Sequence, residues 1–100
     1  MKFLFVYYGG AMATTPAAQK KSMETWTAWF KKLGKSLVDM GAATKPGKMV
    51  GKTAKAITGE MMTGYSVVMA DTLDAAVAIA KTSPNVMEGG TIGVYEIMPM

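Results

Sequence analysis

The sequence predicts an α+β fold made of two strand–helix–strand units, on three observations. Short apolar stretches of strand length fall at residues 2–8, 65–70 and 91–98. Apolar residues recur at spacings of three and four from Met23 to Leu37 and again from Leu73 to Ala80. Glycines, prolines or helix-capping residues separate each stretch from the next.

The elements follow in order. Lys2-Phe-Leu-Phe-Val-Tyr-Tyr8 is rich in aromatic and branched side chains and reads as the first strand, ended by Gly9-Gly10. Thr15 is a natural N-cap and Pro16 fits the first helical position. Met23, Trp26, Phe30, Leu33 and Leu37 then form an amphipathic stripe widened by Trp29, and Gly41 is expected to cap the helix. Pro46-Gly47 marks a turn, a short second strand is expected between 48 and 57, and 59–63 reads as a loop. Tyr65 to Ala70 is the third strand. Asp71, with Asp74 three residues on, is the expected cap of the second helix, whose apolar face is Leu73, Ala76, Val77 and Ala80. Ser83-Pro84-Asn85 stops that helix, and Gly89-Gly90 leads into the last strand, Thr91 to Met98.

This order is the split βαβ arrangement of a ferredoxin-like sandwich, a four-stranded antiparallel sheet with two helices on one face, within a single domain over residues 1–100. Two helices about 10 Å wide cover one face of a sheet roughly 19 Å across, not both. Yet Phe3, Phe5 and Tyr7 alternate with Leu4, Val6 and Tyr8, so the first strand is apolar on both sides, and the other strands behave similarly. A sheet with one wet face would alternate apolar with polar. The second face is therefore expected to be buried against the same sheet of a second copy, which makes the protein a homodimer.

Composition narrows the chemistry. Half of the 100 residues are apolar and 18% are charged, as in a globular chain. There is no cysteine and no histidine, which removes Cys/His zinc sites, thiol nucleophiles and histidine bases. No metal and no cofactor is expected. All eleven basic residues are lysine, giving a net charge of +4. Without arginine's planar fork, specific nucleic-acid readout is not expected. The apolar run Phe3–Tyr8 with Ala11-Met12-Ala13 imitates a signal peptide but is shorter than the roughly 7–15 residues such a region needs. No stretch approaches the ~20 apolar residues of a membrane span. A cytoplasmic protein is the expectation.

Two motifs are near misses. Gly47 to Thr53 imitates a phosphate-binding loop, but three residues rather than four separate its glycines. Gly64 to Ala70 imitates the RNA-recognition strand, with Val67 and Ala70 where stacking aromatics belong. Glu96, a carboxylate in an apolar strand, must be paired, exposed at an edge or facing a cavity.

The opening Met1-Lys-Phe-Leu-Phe-Val-Tyr-Tyr-Gly9, the helix core Trp26-Thr-Ala-Trp29-Phe30, the segment Thr63 to Ala76 and the closing Gly89 to Met98 together resemble the YCII-related (DGPF-type) family. The resemblance implies a dimeric α/β barrel with a cleft between sheet, helices and partner, where some relatives use a His/Asp pair. This chain lacks that histidine, with Tyr8 and Asn85 standing where relatives carry one, and it has Glu60-Met-Met-Thr63 near the place of the Asp-Gly-Pro-Phe signature. The resemblance thus implies a scaffold more than a reaction.

The expected function is small-molecule binding near Tyr7, Tyr8, Lys52, Tyr65 and Glu96, with the lysine favouring an anionic or carbonyl ligand. One alternative is a cofactor-free isomerase or lyase using Glu96 or a tyrosine as acid or base. The other is a structural or regulatory module with a filled barrel.

Overall fold

A computed structural model describes residues 1–9, 15–57, 59 and 61–99. The readings attached to Gly10, Ala11–Ala13 and Glu60 lie outside the described residues.

The sheet is built outward from β1 (Lys2–Tyr8), which pairs antiparallel with β5 (Met62–Met69) on one side and β6 (Thr91–Glu96) on the other. β2 (Leu37–Ala43) joins the far side of β5, giving the order β2-β5-β1-β6 of the ferredoxin-like fold. Register assigns the faces. Phe3, Phe5 and Tyr7 stand opposite Val68, Ser66 and Gly64, and these pack against Trp29 of α1 (Pro16–Leu33) and Ala76 and Ala80 of α2 (Leu73–Lys81). Both helices lie on that one face, and the molecule is 19 Å thick in its shortest dimension, which fits one helical layer on one sheet. The other face carries Leu4, Val6, Tyr8, Tyr65, Val67 and Tyr95, with Tyr95 54% exposed and Met69 41%.

Helix starts follow local chemistry. Thr15 Oγ1 accepts from Ala18 N–H at 3.1 Å ahead of Pro16, as expected. At α2 the cap is Thr72, whose Oγ1 accepts from Ala75 N–H at 3.0 Å, rather than Asp71. Asp71 lies one position too early to reach the open amides, while Asp74 sits in the first turn, where it complements the dipole. Ser83-Pro84 does end α2, and it also starts a further short helix, α3 (Pro84–Met87).

The larger correction concerns residues 34–57. The first helix ends at Leu33, where Gly34 at φ 55° donates its N–H to the Lys31 and Phe30 carbonyls. Leu37, at helical spacing from Leu33, opens β2 instead. The sheet's fourth strand is therefore 37–43, and the expected strand at 48–57 is a separate hairpin, β3 (Lys48–Val50) with β4 (Ala54–Ala56), exposed along both strands. β2 was illegible because it is irregular: its register with β5 shifts between Leu37 and Asp39 and again between Asp39 and Ala42. Gly41 lies in this bulge at φ 70°, where an added Cβ would stand 1.8 Å from the Tyr65 carbonyl oxygen. Asp39 Oδ1 holds the turn by accepting from Gly41 N–H at 2.8 Å.

Candidate functional site

The bulge in β2 and the long α1 leave an opening between helix and sheet. It is a cleft of about 490 Å³, within the range of small-molecule sites. Tyr7 and Ser66 come to it from the sheet, Met23, Trp26 and Phe30 from α1, Met40 to Thr44 from β2 and its exit, and Asn85 and Glu88 from α3 and its end.

Its walls are aromatic. The Tyr7 and Trp26 rings meet edge to face at 5.0 Å and 75°, and Trp26 lies 5.8 Å from Phe30 and from Trp29. Trp29 is tied elsewhere: its indole N–H donates to Thr82 Oγ1 at 3.0 Å, and that hydroxyl donates to the Ile79 carbonyl. Trp26, one step after Met23 in the same stripe that packs the core, is left to face the opening.

The polar floor is a relay. Tyr7 O–H donates to Ser66 Oγ at 2.9 Å, and Ser66 O–H donates to the Met40 carbonyl at 2.8 Å. The β2 bulge lies beside that carbonyl, so the irregular strand and the buried hydroxyl are one arrangement. Burial pushes the Tyr7 phenol up to about 12, against a smaller opposing effect of the Ser66 hydrogen bond. Tyr7 is therefore a neutral hydrogen-bonding group at ordinary pH and a poor base. Asn85, 4% exposed, donates through Nδ2 to the Thr91 carbonyl at 2.9 Å and the Tyr8 carbonyl at 3.3 Å, pinning α3 to the β1 and β6 ends.

The residues singled out from sequence are placed as follows. Tyr7 is in the cleft. Tyr65 borders it, but its register with Val6 and Ala42 puts it on the opposite sheet face from Tyr7. Tyr8 shares that outer face and is half-buried. Lys52 lies in the turn of the β3–β4 hairpin, and Glu96 is exposed at the end of β6; neither lines the cleft. The structure thus does not gather these five into one place. It gathers instead Tyr7, Trp26, Ser66, Asn85 and Glu88, of which sequence reasoning marked only Tyr7 for ligand contact. Ser66 offered a signal, as a lone hydroxyl on the core-facing side of an apolar strand. Trp26 and Glu88 offered none, since a tryptophan in an apolar stripe and a glutamate before Gly-Gly look ordinary.

The described residues hold no group of three or more acidic side chains placed to bind a metal. No helix among them is long and apolar enough to cross a membrane.

Comparison with solved structures finds similarity to 5-chloro-2-hydroxyhydroquinone dehydrochlorinase (TftG) from Burkholderia phenoliruptrix AC1100, in complex with 2,5-dihydroxybenzoquinone. The TM-score is 0.56 at 15% sequence identity, covering 95% of this chain and 93% of that one. At that identity the likeness is one of fold, and it supports a fold of the dimeric α/β barrel type. Comparison with curated proteins finds no match. The family model of the YCII-related domain matches residues 1–100, so the chain belongs to the YCII-related family.

Proposed function

We propose that this YCII-related protein is a homodimer that binds a small planar ring compound in the cleft between α1 and the sheet. The observation that carries the reading is the cleft itself: about 490 Å³, walled by Tyr7, Trp26 and Phe30, with a buried hydroxyl relay at its floor. Flat aromatic walls favour a flat ligand through offset and edge contacts. The fold neighbour's complex holds a single-ring compound, which is consistent in size. Dimerisation is supported by the apolar outer face of Leu4, Val6, Tyr8, Tyr65 and Val67, which neither helix covers. The lysines that favoured an anionic ligand lie outside the cleft, and aromatic shape takes their place as the argument. Tyr7 does not serve as a base, because its proton is held to about pH 12.

The two tryptophans provide the test. Titrating single-ring aromatics should shift the Trp26 indole N–H resonance in proton–nitrogen correlation spectra, while the Trp29 resonance, tied to Thr82, moves less. Equal movement of both, or of neither, rejects the site. Light scattering at micromolar concentration should give twice the chain mass for the native protein, and a Val67→Lys variant on the outer face should run as a monomer; a native monomer rejects the dimer.

A further inference from the structure

The hydrogen-bond partners around the cleft have a common direction, and it bears on which ring compounds fit. Tyr7 O–H donates to Ser66 Oγ, Ser66 O–H to the Met40 carbonyl, Thr63 O–H to the Tyr7 carbonyl at 3.2 Å, and Thr44 O–H to the Met62 carbonyl at 3.1 Å. Both protons of the Asn85 amide face carbonyls, of Tyr8 and Thr91. Carbonyls only accept, so these two bonds fix which end of the amide is nitrogen. Asn85 Oδ1 has no donor bonded to it among the described residues. Every fully buried side-chain oxygen among the described residues has a partner, so this Oδ1 keeps some exposed surface, and Asn85, 4% exposed in all, is a lining residue of the cleft. Five lining side chains thus give their protons to the protein; Ser66 is fully buried and already accepts from Tyr7, and the other four keep oxygen lone pairs that these bonds do not use. Glu88 adds a carboxylate at the rim, and no lysine is among the lining residues.

Resting on the reading of the cleft as a ligand site, we propose that it selects ring compounds carrying hydrogen-bond donors, hydroxyl or amino groups, that are neutral or positively charged, and rejects ring carboxylates. The shared chemistry is a donor on a flat ring. A phenol or an aromatic amine places its proton on Asn85 Oδ1 or the Tyr7 oxygen while its ring lies against Trp26 and Phe30. A carboxylate has no proton to offer at neutral pH, meets lone pairs and the Glu88 charge, and leaves buried acceptors facing its own oxygens. Asn85 is the specificity residue: it is buried, oriented by two backbone bonds and open on one atom.

Catechol, benzylamine and benzoate are matched probes, read by the Trp26 indole resonance against that of Trp29. Catechol and benzylamine should each bind at least about tenfold more tightly than benzoate, the size of one charge-assisted or orphaned hydrogen bond. Preference for catechol over benzylamine identifies neutral hydroxyl compounds as the ligand class, and the reverse identifies amines. Glu88→Lys, at an exposed position, should raise benzoate affinity about tenfold and weaken benzylamine, with catechol changing by less than about threefold. Asn85→Leu, where it folds, should remove the advantage of catechol; Glu88→Lys carries the test without it. Benzoate binding as tightly as catechol, or unmoved by Glu88→Lys, overturns donor selection while leaving the cleft a ring-binding site. Binding of none of the three overturns both readings.

Discussion

The two strand–helix–strand halves of this fold share a plan and differ in regularity. In the second, β5 shifts register only once, against the end of β1 between Tyr7 and Tyr8, α2 is nine residues long, and its small Ala76 and Ala80 pack on the sheet. In the first, α1 runs for 18 residues and β2 is bulged twice against β5. The regular half closes over its part of the sheet. The irregular half stands off and opens the cleft, with Met40 at the bulge accepting the hydrogen bond that anchors Ser66 and Tyr7. Departure from the ideal repeat is where this scaffold makes room for a ligand.

The largest test of that contrast exchanges a glycine in each half. Gly41→Ala meets the Tyr65 backbone at 1.8 Å from a left-handed φ of 70°, and neither atom can move without moving a strand. It should destabilise by roughly 2–4 kcal/mol in chemical denaturation and disturb the Trp26 resonance by shifting β2. Gly93→Ala in β6 meets first the Tyr95 side chain, at 2.8 Å, rather than backbone, and Tyr95 is 54% exposed within the single chain, so its ring has room to give. Its cost should stay below about 1 kcal/mol. Equal costs would remove the claim that the bulge is a built feature.

The same contrast explains what could be read without coordinates. The second half was legible because Val67, Val68, Ala76 and Ala80 each serve one face of one regular element, so period and packing agree. Its details were less so: Asp71 and Thr72 are both good capping residues, and only geometry chooses the threonine. In the first half Leu37 stands four residues after Leu33, which imitates a helix, and Gly41 looks like a helix cap although it serves a bulge. Neither error was one of composition. A β-bulge erases the alternation by which strands are recognised, and the hairpin at 48–56 supplied a weak alternating pattern that took its place. The candidate site suffered most, because it is assembled by that unrecognised strand and by α3. Tyr7 is legible because it lies near the end of an apolar strand; Lys52 and Glu96 stand out as charges in odd places, and exposure explains both.

A second test, of intermediate size, isolates the buried phenol in the irregular half. Tyr7 holds its proton to about pH 12 in the folded protein, against 10.0 for an ordinary tyrosine. Folding therefore favours the neutral form. The stability this confers is whole below pH 10 and is lost as pH rises towards about 12, by roughly 2–3 kcal/mol in full. Measured as the difference between native protein and Tyr7→Phe, which keeps every lysine and the other tyrosines, stability should be level from pH 7 to 10 and then converge or cross. A difference that stays flat to pH 12 would show that the hydroxyl reaches water and that the relay to Ser66 is not closed.

The smallest effect compares the two helix caps, which are chemically alike. Thr15 and Thr72 each accept from the amide three residues on, at 3.1 and 3.0 Å. Their surroundings differ. Thr15 and residues 16–21 of α1 are exposed, so those first turns fray with little loss of packing, whereas α2 is half as long and its buried Ala76 lies only four residues after the cap. Thr72→Ala should therefore cost about 1 kcal/mol and Thr15→Ala roughly half of that, although an isolated helix would value the two caps equally. Asp71→Ala, touching only the dipole, should cost a few tenths of a kcal/mol. If Thr15→Ala proves the more costly, the start of α1 is held by contacts that this exposed surface does not display, and the view of α1 as the loosely seated wall of the cleft gives way.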